Sequence, residues 1–259
     1  MLPSLFIAHG SPMIAIEESP YATFLDQLGA QLSRPEAIAI FSAHWESPVQ
    51  RVSEVGSYST IYDFGGFPDE LYQVVYPAPG HLDVARRIQT LFRDRGIRVE
   101  PDRTRGLDHG AWTLLKRLFP DADIPVVAMS VNAALDPSEQ FAVGEAIRAL
   151  RDQEVLVIGS GVTVHNFQIL GMAHDPGIQA GVREFQRWLN NKLRQWDLEA
   201  LFDYARQAPH ARLAVPARGQ EHFAPLFYAM GAASQPQSVE ILHESWMWNV
   251  MANTVYQFT

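Results

Sequence analysis

The chain has 259 residues, 47% hydrophobic and 19% charged, with a net charge of -9 and no cysteine. This describes an ordinary globular protein long enough for one large core, and the lack of cysteine excludes disulfides, thiolate metal sites and cysteine nucleophiles together. Scattered basic residues on an acidic chain argue against a nucleic-acid surface or an anionic membrane face, and no apolar run approaches the roughly 20 residues of a membrane span. The start of the chain lacks the basic segment of a signal peptide, so a cytoplasmic protein is the expectation.

The first segment, Ser-Leu-Phe-Ile-Ala-His-Gly-Ser-Pro-Met over residues 4–13, reads as a buried strand that stops at His9, followed by a Gly-Ser-Pro turn. In open α/β sheets ligands collect beyond the carboxyl ends of strands, which is where His9 would stand. Ser19-Pro20 can start a helix with Phe24, Leu25, Leu28 and Leu32 on one face. Residues 37–41 form a second apolar strand that again runs into a histidine, His44. Residues 49–55 alternate as a strand. The aromatic, Gly-rich stretch 62–68 is too long for a plain connector and reads equally as a binding loop or as cover for the core edge.

Residues 82–95 carry a helical pattern closed by Gly96, and residues 97–100 a short strand. Gly106-Leu107-Asp108-His109-Gly110-Ala111-Trp112 then leads into a helix through Leu118. A strand over 124–129 precedes a helix opened by Asp136-Pro137-Ser138 and packed through Val143, Ile147 and Leu150. The strand at 155–158 enters Gly159-Ser160-Gly161, with His165 shortly after. A long helix is expected over 180–196, a shorter one capped by Asp197, another opened by residues 220–226, and a late strand over 239–242. The Trp- and Met-rich tail, 246–258, reads as either strand or packed coil. Strands alternating with helices, with no internal repeat, predict one α/β domain over residues 1–259, with a mixed, largely parallel sheet flanked by helices.

Nine histidines occur. His81, His174, His210 and His243 lie in polar or proline-bearing contexts and read as solvated or capping residues. His9, His44 and His165 follow apolar strands, while His109 and His222 sit at loop-to-helix junctions. Five histidines at element ends in a cysteine-free chain point to an imidazole or imidazole–carboxylate metal site. The plain alternative is that two or three are core histidines satisfied by backbone carbonyls. Gly159-Ser160-Gly161 lacks the Lys-Ser/Thr that completes a phosphate loop, and Ser11 and Ser160 lack a nucleophile-elbow frame, so both read as turns.

Seven motifs in register are more specific: His9-Gly10-Ser11-Pro12, Ser42-Ala43-His44-Trp45, Asp63-Phe64-Gly65-Gly66-Phe67-Pro68, Tyr76-Pro77-Ala78-Pro79-Gly80, Gly106–Trp112, Gly159-Ser160-Gly161 with His165-Asn166, and Glu221-His222-Phe223-Ala224-Pro225-Leu226. From about residue 4 to residue 230 the chain resembles the 4,5-DOPA extradiol dioxygenase family of class III extradiol ring-cleaving dioxygenases, which also includes the protocatechuate 4,5-dioxygenase catalytic subunit. The resemblance implies metal ligands at His9, His44 and His222, with His165 either a further ligand or the active-site acid–base. It implies that His109 touches substrate or oxygen, and it leaves Glu221 open as a ligand. Three or four imidazoles in place of two imidazoles and a carboxylate depart from the protocatechuate pattern, and such a set also suits zinc.

The implied reaction opens a catechol ring beside its diol with O2. Open facial sites for that chemistry favour Fe(II), with Zn(II) possible in the same site. A neutral histidine can take a catechol proton and later return it, a role given to His165, with His109 holding substrate or oxygen. The expected partners are thus a small aromatic catechol and O2. Two other readings use the same residues: a zinc hydrolase or amidase that activates water, and a non-enzymatic binding protein of the Memo type, since fold alone does not settle function.

Overall fold

The computed structural model of the chain describes residues 1–234 and 237–259. Three of its strands begin where apolar runs begin, at Ser4, Ala37 and Val155. Strand β1 (Ser4–Ala8) is wholly buried, and helix α1 (Pro20–Gln31) starts at Ser19, whose side chain accepts from the Ala22 N–H. Strand β2 (Ala37–Glu46) continues past the expected end at Phe41 and carries His44 within it, and β3 (Gln50–Ser53) follows. Helix α2 (Leu82–Asp94) is capped by His81, whose Nδ1 accepts from the Val84 N–H. Then come β4 (Val99–Asp102), α3 (His109–Leu118), β5 (Val126–Val131), α4 (Pro137–Ile147) and β6 (Val155–Gly161).

Helix α5 (Pro176–Gln195) starts four residues earlier than its apolar pattern, because Asp175 caps it and Pro176 fits its first turn. Three short helices follow, α6 (Leu198–Phe202), α7 (Tyr204–Gln207) and α8 (Ala211–Ala214), and then α9 (Ala224–Gly231). The ambiguous tail resolves into strand: β7 (Val239–Met247) and β8 (Met251–Phe258) form an antiparallel hairpin.

The eight strands of the described residues join one sheet in the order β4-β3-β5-β2-β6-β1-β8-β7. The centre, β5-β2-β6-β1, is parallel, while β8 and β3 run antiparallel to β1 and β5. Both faces of this centre are covered, which explains its unbroken apolar runs. Residues on one face, Leu5, Ile7, Ile38, Ile40, Leu156 and Ile158, pack with α1 and α3 through Leu25, Leu28, Leu114 and Leu115. Their neighbours in sequence face the other side: Phe6 packs with α5 and α9, and Ala39, Phe41 and Val157 with α2, α4 and α9. Side chains alternate across a strand, so successive residues serve different layers.

Candidate metal and ring-cleavage site

Each of the five element-end histidines reaches one place, beyond the carboxyl ends of the central parallel strands. His9 stands one residue past β1, where its N–H still donates to the Gly161 carbonyl at 3.1 Å. His44 is aimed by an irregularity in β2: the register against β5 shifts between Ser42 and Glu46. Such a bulge re-aims a side chain, which plain alternation does not foresee. His109 opens α3 beside its capping residue Asp108. His222 ends a single turn of 3-10 helix just before α9, and His165 follows β6 with its N–H donating to the Ala214 carbonyl.

The Gly159-Ser160-Gly161 stretch is part of β6 rather than a free turn. A Cβ on Gly159 or Gly161 would meet the carbonyl oxygens of Pro225 or His222 at 2.2 Å. The two glycines therefore let the start of α9 press directly on the strand, and the Val162 N–H donates to the His222 carbonyl at 2.8 Å. Ser160, between them, points to the opposite face and meets His9.

Hydrogen bonds fix the tautomers. Ser160 Oγ donates its proton to the Gly110 carbonyl at 2.5 Å, so towards His9 Nδ1, 3.0 Å away, it can only accept. His222 Nδ1 donates to Glu221 Oε1 at 2.9 Å. Asp63 serves two rings: Oδ1 takes the Nδ1–H and backbone N–H of His109, each at 2.9 Å, and Oδ2 lies 3.4 Å from His44 Nδ1. Ser42 Oγ donates to Asp108 at 2.6 Å and accepts from the His44 N–H. With Nδ1 of His9 and His222 protonated by these bonds and that of His44 turned to the Asp63 carboxylate, the three Nε2 atoms are bare acceptors.

Those bare atoms face one another. His44 Nε2 lies 3.1 Å from His9 Nε2 and 3.3 Å from His222 Nε2. Neighbouring nitrogens about 3.0–3.4 Å apart are what metal–nitrogen bonds of about 2.0–2.1 Å give at octahedral or tetrahedral angles. Three lone pairs pointed together repel unless a cation sits among them, so the donor set fits a metal ion. Each Nδ1–H held by an oxygen is also the support that metal-binding histidines use. A second cluster, His44, Asp63 and His109, is already joined by N–H···carboxylate contacts and acts as a support rather than a cage.

Burial, reinforced by the neighbouring imidazoles, holds His9 well below the usual histidine range. His44 is pushed down to about 3 by burial and by His109 and His222, against the pull of Asp108 and Asp63. His222 also falls to about 3, through burial and His109. Burial would raise the Asp63 carboxyl, but the hydrogen bonds it accepts from His109 outweigh that and hold it at about 2. At neutral pH the imidazoles are thus neutral and the carboxylate is ionised.

His165 is placed differently. Its ring stacks on His222 at 3.7 Å between centroids and 11° between planes, and it is not among the nitrogens that converge within 4.8 Å. Burial and His222 lower it to about 3. The ring of His109 lies 3.8 Å from that of His44. Glu221, left open as a ligand, turns to His222 instead.

The histidines form one wall of a cavity of about 240 Å³, shared with Phe64 and Phe67 of the aromatic loop. That loop is therefore both binding wall and core cover, since Tyr62, Phe64 and Phe67 also pack against the core. Of the histidines set aside, His174 is exposed and His210 is half-exposed beside Glu184. His243 departs from the solvated reading: it is half-buried against Tyr21 and Phe24 and bonds to Ser245 Oγ at 2.8 Å. Asp63 and Ser160 were missed as functional residues. Ser160 was findable, because a Gly-Ser-Gly ending a buried strand puts the serine on the face opposite both glycines.

The family described as the catalytic LigB subunit of aromatic ring-opening dioxygenase matches residues 3–259. A 4,5-DOPA dioxygenase extradiol of Beta vulgaris is 41% identical over 260 residues, covering 99% of this chain and 96% of that one. A 4,5-DOPA dioxygenase extradiol of Escherichia coli strain K12 is 32% identical, over 93% of this chain and 88% of its own. A crystal structure of an uncharacterised Escherichia coli K12 protein superposes with a TM-score of 0.82 at 30% identity, over 99% of both chains. These findings set aside the non-enzymatic reading. The chain belongs to the LigB family of aromatic ring-opening dioxygenases and is an extradiol ring-cleaving enzyme.

Proposed function

We propose that the chain, acting as one catalytic domain, opens the ring of a catechol beside its diol with O2, using Fe(II) held by His9, His44 and His222. The observation that carries this is the convergence of three bare Nε2 atoms on one wall of an otherwise apolar cavity. When bound, the ion would supply a positive charge for the diol oxygens and a redox partner for O2.

The remaining chemistry belongs to the chain. His165, neutral at pH 7, accepts a proton from the diol and returns it later; the negative charge of an ionising diol raises its proton affinity when that is needed. Its stacking on His222 holds it beside the diol rather than in the ligand set. His109 keeps Nε2 free as an acceptor because Asp63 holds Nδ1–H, and it orients substrate or oxygen. Phe64 and Phe67 exclude water from the ring face. Among the described residues no helix is long and apolar enough to cross a membrane, and the working compartment proposed is the cytoplasm.

Oxygen uptake by protein reconstituted anaerobically with Fe(II), presented with a panel of catechols, tests the reading; a coloured ring-opened product is expected. His165→Ala should abolish turnover and leave catechol binding measurable, and full activity in that variant would remove the acid–base role. Ring opening should stop in strictly anaerobic incubations.

A further inference from the structure

The cavity is polar at one end only. Its histidines and Asp63 occupy one wall, the Gly10-Ser11-Pro12 turn lies beside them, and the rest is formed by Phe64, Phe67, Phe167, Met247, Trp248 and Met251. Among the described residues no lysine or arginine lines it. Two arginines in elements that flank the site are engaged elsewhere. The Arg183 guanidinium sits 4.6 Å over Trp246 and donates to the Asn249 carbonyl, and Arg105 sits over Trp45 and pairs with Asp108 at 3.0 Å.

The solvent edge of this cavity carries two large aromatics that the fold leaves uncovered, Phe167 at 63% exposure and Trp248 at 52%. A buried polar group or an exposed large apolar one is the informative kind of residue. Trp248 is unusual in a second way. It and Asn249 form the tip of the β7–β8 hairpin, both with positive φ, 50° and 63°. Asparagine tolerates that conformation and tryptophan rarely adopts it; the tight hairpin turn, closed by Val250 N–H to the Met247 carbonyl, holds Trp248 there at the cavity edge. Arg183, holding the Asn249 carbonyl and Trp246, fixes the tip.

We propose that the substrate is a catechol whose ring substituent is apolar and uncharged, gripped at the cavity mouth by Phe167 and Trp248. This rests on the catechol reading above. With the diol at the histidines, a substituent on the far side of the ring meets aromatic and methionine side chains. An alkyl group there buries apolar surface against Phe167 and Trp248, whereas a carboxylate gains neither that burial nor a cation from the lining. DOPA, named for the relatives, is a catechol that carries such a carboxylate.

Calorimetric titration of the Zn(II)-loaded protein separates binding from turnover. The probes are 4-propylcatechol, its carboxylate counterpart 3-(3,4-dihydroxyphenyl)propionate, and DOPA. Propylcatechol should bind at least about tenfold more tightly than either carboxylate, a difference of about 1.4 kcal/mol. Trp248→Arg, which supplies a cation at the mouth, should erase or reverse that ratio, and Trp248→Phe should preserve it; metal content, measured alongside, reports an intact site. Equal or tighter binding of the carboxylates overturns the proposal, as does a ratio unmoved by Trp248→Arg. Selective binding of propylcatechol without oxygen uptake by the Fe(II) form would instead sink the dioxygenase mechanism and leave this inference standing. Turnover of all three alike would do the reverse, and failure of every catechol to bind would overturn both.

Discussion

At the scale of single residues, the site depends on which nitrogen of each imidazole carries its proton, and oxygens outside the histidine set decide this. Ser160 is the clearest case, because its own proton is committed to Gly110 and it can only accept from His9. Ser160→Ala should leave a buried N–H without a partner and free the ring to turn. Loss of such a supporting contact typically costs about 10–100-fold in metal affinity, which competition against a chelator of known affinity would measure. His9→Ala should lose metal outright without unfolding the domain. In the metal-free state it removes one of three mutually repelling lone pairs, so its melting temperature should match or exceed that of the metal-free parent. Unfolding, with metal content unchanged per folded molecule, would show that His9 is a core histidine.

At the scale of elements, the contact between β6 and α9 places His222. Gly161 lies against the His222 carbonyl so closely that a methyl group cannot be added without moving the helix start. Gly161→Ala should destabilise the fold by about 1–3 kcal/mol, the usual cost of overpacking. It should also weaken metal binding, because the displaced segment carries His222; urea unfolding and metal titration read the two effects separately. The same contact shows why the motif was only partly legible. Gly159-Ser160-Gly161 was visible as a strand end, but its role needs the partner across the sheet. In β2 the apolar run was legible to Phe41, whereas the shift that aims His44 arises from pairing with β5 and leaves no local signal. The tail was undecided for a like reason: Met251–Phe258 becomes a strand because β1 offers it an open edge.

Across the whole molecule, burying several neutral imidazoles couples stability to pH. His9, His44, His165 and His222 all sit below the ordinary value of 6.5, three of them at about 3. The unfolded chain therefore binds more protons than the native one below about pH 6.5, and stability rises with pH through that window. Metal-free protein should be at full stability above pH 6.5 and weaken progressively towards pH 3, as chemical denaturation at a series of pH values would record. Bound metal competes with those protons and should move the onset of the loss to lower pH.

Periodicity and apolar runs alone determined the alternation of strands and helices, the sheet buried on both faces, and the placing of His9, His109, His165 and His222 at or near element ends. Those properties are local, set by neighbours a few residues apart. The meeting of the histidines is not local: His222 and His44 are 178 residues apart in sequence and 3.3 Å apart in space. Tertiary structure alone decided which three nitrogens face one another, that His165 stacks beside them, and that Asp63, Ser160 and Glu221 hold their protons. It also placed Trp248 at the cavity mouth, because only the assembled sheet brings the C-terminal hairpin next to β1 and its histidine.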